Sequence, residues 1–320
     1  MIDLYIISGF LGAGKTTLIQ TMVPAVFQNR KVVVIENDFG DSEIDAELLK
    51  GDSLTVTSLN SGCICCSLTG DFNRAMGQIA EEYAPDVIIV EPSGAGRLSD
   101  IIKVCMNRKD IVKICRCITV VDVMNFDKYR ENFGEVFINQ IQFGDLILLS
   151  HISEKAGETE GVMGKIRKLN PEARIEADFW DSIPAEIFLE GKRVTLAETL
   201  QEELNKPAAL NRKIRSGGKG ESAVRPLFHF AREIFSSVTF ACDELLSEAE
   251  LKVKINRVTG QADGMILRGK GIVKGPEGSI SFHYIPGMLK IQSYRGEGNS
   301  VCFIGTGIKE QQIITLFKGE

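Results

Sequence analysis

An α/β fold, with a mostly parallel sheet flanked by helices and a smaller C-terminal α+β domain, is what three features of this 320-residue sequence predict. The apolar runs LYIIS (4–8), VVVIE (32–36), DVIIVE (86–91), CITVVD (117–122) and DLILLS (145–150) alternate with helix-compatible segments. Runs without polar alternation suit strands buried on both faces, the condition of a parallel sheet wrapped by helices. The first run leads straight into Gly9-Phe10-Leu11-Gly12-Ala13-Gly14-Lys15-Thr16, a glycine-rich turn with the helical segment LIQTMVPAVF behind it. Near residue 205 the pattern fails, and NKPAALNRKIRSGGKGESAVRP mixes Pro, Gly, Ser and charge without apolar periodicity. The expected division is a nucleotide-binding domain over 1–205, a linker over 206–225 and an α+β domain over 226–320. In the last of these, AREIFSSV and DELLSEAELKVKINRV read as helices, and GMILRGKGIV, SISFHYI, MLKIQSY and VCFIG as short strands between Gly and Pro-Gly turns.

Composition narrows the function classes. With 44% hydrophobic residues the chain can fill two cores of unequal size. A net charge of −6, spread over both halves, supplies no basic field for nucleic acid or an anionic membrane, so neither is an expected partner. The start MIDLYIISGF lacks a basic leader and is too short in apolar length for a transmembrane helix, which points to the cytoplasm. Eight cysteines without such a leader imply reduced thiols available for metal or redox chemistry rather than disulfides.

The turn at 9–16 has Walker A spacing and the strand-before, helix-after context that the motif needs. Gly9, Gly12, Ala13 and Gly14 let consecutive backbone N–H groups face one anion, and the helix N-terminus adds its dipole. Lys15 then reaches the terminal phosphate oxygens, the Thr16 hydroxyl binds Mg²⁺, and Thr17 lines the α-phosphate side. Two acidic turns follow strands, Glu36-Asn37-Asp38-Phe39-Gly40 and Glu91-Pro92-Ser93-Gly94. Glu91 is suited to the Mg²⁺ shell, Gly94 to a loop that moves on hydrolysis, and Asp38 to a loop that senses the γ-phosphate. Asp122 reads equally as a further acid or as a strand-end turn.

Gly62-Cys63-Ile64-Cys65-Cys66 places three thiols within four residues. Three soft thiolates make most of a tetrahedral site that favours Zn²⁺ or Cu⁺ and can accommodate another transition metal such as Co²⁺ or iron, with an open fourth position suited to transfer; buried or redox-active thiols without metal are the alternative. Cys105, Cys115, Cys117, Cys242 and Cys302 are scattered and read as core, and His151, His229 and His283 as packing or surface histidines.

Together SGFLGAGKTTLI, ENDFGDSEID, GCICC and EPSGAG resemble the CobW-like group of metal-handling GTPases, relatives of the nickel-inserting GTPases of hydrogenase and urease maturation. NQIQFGDLILLS, ILRGKGIV and VCFIG extend the resemblance over nearly the whole chain. It implies GTP hydrolysis with Mg²⁺, metal held by Cys63, Cys65 and Cys66, and release to a client metalloprotein or cofactor-dependent enzyme; a nucleotide- or metal-dependent homodimer stays open. The departure lies after DLILL, where the family usually has Asn-Lys-x-Asp and this chain has Ser150-His151-Ile152-Ser153. No carboxylate remains there for the guanine edge unless Glu154 substitutes, so ATP stays open beside GTP. The competing reading is a nucleotide switch that docks on a client, for example a corrinoid-dependent one, with metal only structural.

Overall fold

The computed structural model describes residues 1–36, 54–58, 69–153, 157–189 and 235–319. Asp38, the three clustered cysteines, Glu154, His229 and the 206–225 linker fall outside these described residues. The first domain runs β1 (Ile2–Gly9), α1 (Lys15–Val26), β2 (Val32–Glu36), β3 (Leu54–Ser58), α2 (Thr69–Tyr83), β4 (Val87–Glu91), α3 (Leu98–Met106), β5 (Val112–Asp122), α4 (Phe126–Phe143), β6 (Leu146–Ser150), α5 (Thr159–Leu169), β7 (Arg174–Glu176) and α6 (Ala185–Leu189). Its strands form one parallel seven-stranded sheet in the order β3-β2-β4-β1-β5-β6-β7. The five apolar runs are β1, β2, β4, β5 and β6, and β1 lies at the centre. Alternation along β1 sends Leu4 and Ile6 to one face, against α2 and α3, and Tyr5 and Ile7 to the other, against α1 and α6. Burial on both faces is what removes the polar alternation from these runs.

The second domain comprises β8 (Ser236–Ala241), α7 (Glu248–Gln261), β9 (Met265–Gly275), β10 (Gly278–Ile285), β11 (Met288–Ser293), β12 (Ser300–Thr306) and α8 (Glu310–Lys318). Its sheet is antiparallel in the order β11-β10-β9-β12-β8. One expectation fails here: the described part of AREIFSSV is strand, not helix. The whole of Ser236–Ala241 pairs with Ser300–Gly305 of β12, and a β-branched and aromatic edge strand with a partner outweighs a weak helical pattern. DELLSEAELKVKINRV is helical only from Glu248, because the Ser247 side chain and Glu250 close a capping box there.

The two domains share apolar packing. Phe10 leaves the glycine-rich turn and enters an aromatic group with Tyr129, Phe133 and Phe137 of α4 and Phe235 ahead of β8, at ring-centroid distances of 4.5, 5.0, 6.1 and 6.1 Å. Leu267, Cys302 and Ile304 from the C-terminal sheet join the same core. The turn is thereby anchored in apolar contacts drawn from both domains, each fully buried phenylalanine contributing roughly 2–3 kcal/mol. Cys105, Cys117, Cys242 and Cys302 are buried and Cys115 is half-buried, as core packing requires. Among the described residues no helix is long and apolar enough to cross a membrane.

Asp145 stitches the other end of the sheet together. Its Oδ1 accepts from the Cys117 N–H at 3.2 Å, its own N–H donates to the Cys117 carbonyl at 2.8 Å, and its carbonyl accepts from the Arg174 N–H at 3.0 Å. Burial raises its carboxyl to about 6 despite Arg116 at 3.7 Å. Since the folded value lies above the ordinary 3.8, the native state holds the proton more tightly. This group's contribution is therefore fully present below about pH 4 and is lost as pH rises through 6, a change on the order of 3 kcal/mol. Urea unfolding of wild type and Asp145→Asn between pH 4 and 7.5 should show curves whose gap changes across this window; a constant gap would contradict it.

Candidate functional site

The carboxyl ends of β1 and β4, neighbours in the sheet, bring the candidate residues together. Gly9, Gly12 and Gly14 take φ of 147, 76 and 103°, backbone conformations that L side chains rarely adopt, and the turn closes through Ala13 N–H to the Phe10 carbonyl at 3.2 Å. Lys15 opens α1 and is 5% exposed; its Nζ donates to the carbonyls of Gly9 at 3.1 Å and Phe10 at 3.4 Å and stands 3.9 Å from Glu91 Oε1. Thr16 Oγ1 donates to both Glu91 oxygens, at 3.3 and 3.2 Å. A hydroxyl and a carboxylate meeting at the start of α1 are the hard oxygen donors that Mg²⁺ takes, beside a lysine whose present acceptors are turn carbonyls. Thr17 and Gln20 line the same space.

Glu36 ends β2 in register with Glu91 and is buried too, so two acids stand side by side at the strand ends. Asp122 is accounted for locally: Oδ1 accepts from the Met124 N–H and Oδ2 from Asn125 Nδ2, each at 2.8 Å, shaping the turn into α4. Burial raises its carboxyl above the ordinary value against those hydrogen bonds and the neighbouring His151. The turn reading is thus the one its contacts support.

Gly94 lies flush on the glycine-rich turn. A Cβ there would stand 2.6 Å from Leu11 N and 2.9 Å from the Phe10 carbonyl carbon. Its carbonyl and that of Gly96 accept from Gln140 Nε2 at 3.0 and 2.8 Å, while Asn139 Oδ1 accepts from the Ser99 N–H at 3.1 Å. Consecutive amides on α4 therefore hold the loop after β4 and the start of α3.

A cavity of about 360 Å³ opens over the turn, and its far wall is the C-terminal sheet. Lys15, Thr16 and Glu91 face Arg268, His283 and Lys290 across it, with His151 at its edge. Two histidines read from sequence as packing or surface residues therefore border the site. Trp180, after β7, donates its Nε1 hydrogen to the Leu149 carbonyl at 3.1 Å and lies against Gly14. None of these C-terminal residues carried a sequence signal beyond alternation within a strand. Among the described residues no group of three or more His, Cys, Asp and Glu is placed to hold a transition metal.

A parallel sheet, a glycine-rich turn between its central strand and a helix, and an acid at the end of the neighbouring strand define a P-loop nucleoside triphosphatase. The chain belongs to the CobW/HypB/UreG family. Residues 3–176 match the family described as "CobW/HypB/UreG, nucleotide-binding domain", and residues 235–319 match "Cobalamin synthesis protein cobW C-terminal domain". It is 22% identical to the zinc chaperone YjiA of Escherichia coli over 332 aligned positions, covering 98% of this chain and 97% of that protein. To the zinc chaperone CobW of a Sinorhizobium species it is 38% identical over 127 positions, 37% of this chain and 35% of that one. The crystal structure of Zn(II)-bound YjiA GTPase from E. coli aligns at 20% identity over 99% of this chain and 98% of that chain, with a TM-score of 0.43.

Proposed function

We propose that the chain is a nucleotide-driven metallochaperone that binds zinc and hands it to a client apoprotein in the cytoplasm. The observation that carries this reading is the convergence of Lys15, Thr16 and Glu91 at the cavity, with Gly94 packed against the same turn at Phe10 and Leu11. In it, backbone N–H groups of Gly9 to Gly14 and Lys15 bind the phosphates, and Thr16 and Glu91 hold Mg²⁺. The loop at Gly94 reports whether a γ-phosphate is present. Asp38 and the thiols of Cys63, Cys65 and Cys66 belong to segments that follow β2, whose end Glu36 lies beside Glu91, and β3, whose end lies beside Glu36. Such proximity in the sheet order lets nucleotide state bias metal affinity. The zinc chaperones among the relatives support zinc as cargo over cobalt.

Base choice is expected to be loose. Ser153 offers no carboxylate where a guanine-reading acid would stand. Unless Glu154 or another acid substitutes, discrimination between GTP and ATP should then fall to about tenfold or less, because strong discrimination needs a site built to hydrogen-bond the base edge. One experiment covers cargo, ligands, base and coupling: metal analysis and Co²⁺ absorption of reduced wild type and Cys65→Ser, each with and without GTP and ATP analogues. About one Zn²⁺ or Co²⁺ per chain should bind through thiolates, as a site with three protein ligands allows. Wild-type affinity should shift between nucleotide states, and Cys65→Ser should lose the thiolate-to-metal absorption. Equal metal affinity in every nucleotide state would remove the coupling.

A further inference from the structure

The C-terminal sheet has two unlike faces. In Ile266-Leu267-Arg268-Gly269-Lys270-Gly271 of β9, alternation puts Arg268 and Lys270 on one side and the two glycines on the other. On the glycine side the rings of Phe303 and Phe282 occupy the space above Gly269 and Gly271, packing into the core under α7 and α8. On the opposite side, register aligns Cys302, Lys270, His283 and Lys290 across four adjacent strands. Arg268 shares that face two residues along.

This face is turned toward the phosphate turn. Ile285 and Met288, one register step from His283 and Lys290, border the cavity with them, and the Ile285 Cγ2 occupies the space over Gly12. Lys270, within the row, is fully buried. In a chain of net charge −6, an arginine, a lysine and a histidine on one sheet face, opposite a second lysine in a phosphate-binding turn, form a concentrated positive wall. These side chains share the cavity with Lys15 and the Glu91 carboxylate, and a phosphate chain placed there meets cations from both the turn and the sheet. A triphosphate is the anion for which Lys15 and Thr16 are placed.

We infer that Arg268, with Lys290 two strands away on the same sheet face, contacts the terminal phosphate of the bound nucleoside triphosphate and completes the hydrolytic site in cis. The inference rests on the nucleotide reading proposed above. In hydrolysis a water oxygen forms a bond to the γ-phosphorus, and the bond from that phosphorus to the β–γ bridging oxygen breaks. The bridging electrons stay on the diphosphate, and the water proton leaves with inorganic phosphate or to solvent. Negative charge grows on the bridging and γ oxygens as this happens, and an arginine there stabilises it. A second consequence is regulatory: loss of the γ-phosphate removes the contact with Arg268 and Lys290, so nucleotide state reaches the C-terminal domain directly.

The test uses the full chain with Mg²⁺ and three probes: GTP, a non-hydrolysable GTP analogue and GDP. Arg268→Ala should weaken the analogue at least tenfold and GDP by less than threefold, and lower the single-turnover hydrolysis rate about 10²-fold or more. Lys290→Gln should shift the analogue-to-GDP ratio in the same direction by less. Arg268→Lys should recover part of the affinity and little of the rate, since a point charge replaces a planar fork. An unchanged analogue-to-GDP ratio in Arg268→Lys and Lys290→Gln, with unchanged rates, would overturn the inference even if Arg268→Ala proved unstable, and would leave these side chains as interface packing. If wild type binds the analogue while Lys15→Ala does not, the nucleotide reading stands whatever Arg268 does; if wild type binds no nucleotide, both fall.

Discussion

Lys15→Ala is expected to weaken Mg²⁺-GTP analogue binding at least about 100-fold, roughly 2.7 kcal/mol, and to lower the thermal stability of the nucleotide-free protein as well. The first effect follows from position: Nζ is within 3.4 Å of two turn carbonyls and is buried, so it has only to exchange those acceptors for phosphate oxygens. The second follows from Glu91, which is 8% exposed and has the Lys15 ammonium 3.9 Å away. Taking a cation away from a buried carboxylate costs on the order of 1–3 kcal/mol, since the desolvation of the charge is no longer offset. The two effects separate by a double-mutant cycle: Glu91→Gln added to Lys15→Ala should restore part of the stability and none of the binding. Calorimetric titration and thermal unfolding read the two quantities. Binding within threefold of wild type in Lys15→Ala would show that the turn does not hold the phosphates.

How far the sequence revealed this arrangement depended on the range of the interaction involved. Residues 9–16 were legible because turn, strand and helix are contiguous, so spacing alone fixes the geometry. Glu91 and Gly94 were legible at one remove, since a turn after an apolar run in a parallel sheet has to open on the same edge as the first turn. The three-residue β7 left no apolar run, and Ser236–Val238 at the start of β8 was misread because its strand identity comes from pairing with β12, some sixty residues on. The positive wall was hidden for a related reason. Alternation in ILRGKGIV shows that Arg268 and Lys270 share a face, but only the register of β9, β10 and β11 adds His283 and Lys290 to it, and only domain packing turns it toward Lys15. Asn139 and Gln140 stand in NQIQFGDLILLS, but the sequence alone does not show that both are buried and hold the loop after β4 and the start of α3. Asp38, Cys63, Cys65 and Cys66 lie outside the described residues, so their roles rest on sequence and on the proposal above.

Gly94→Ala should separate binding from turnover. The loop after β4 is held from behind by two hydrogen bonds from Gln140 and lies on Leu11 and Phe10 in front, with no space for a methyl group. An added Cβ at 2.6 Å from a backbone nitrogen cannot be relieved by a side-chain rotation, so either this loop or the glycine-rich turn must shift by several tenths of an ångström. The turn is anchored by the Phe10 ring in the shared aromatic core, whereas the loop enters that core only with the small Ala95 and is otherwise held by hydrogen bonds from Gln140, so the loop is the part that gives way. In the proposed function the turn binds the α- and β-phosphates, so GDP affinity should stay within about threefold of wild type. The same proposal gives the γ-phosphate contact to the loop, so hydrolysis should fall about 10²-fold or more, in line with the loss of one preorganised donor. Gln140→Ala relaxes the same loop from behind without adding bulk, and should lower turnover by a smaller factor. Measuring single-turnover hydrolysis and GDP affinity side by side decides the matter: a Gly94→Ala protein that turns over at the wild-type rate would mean that the loop plays no part in sensing the terminal phosphate.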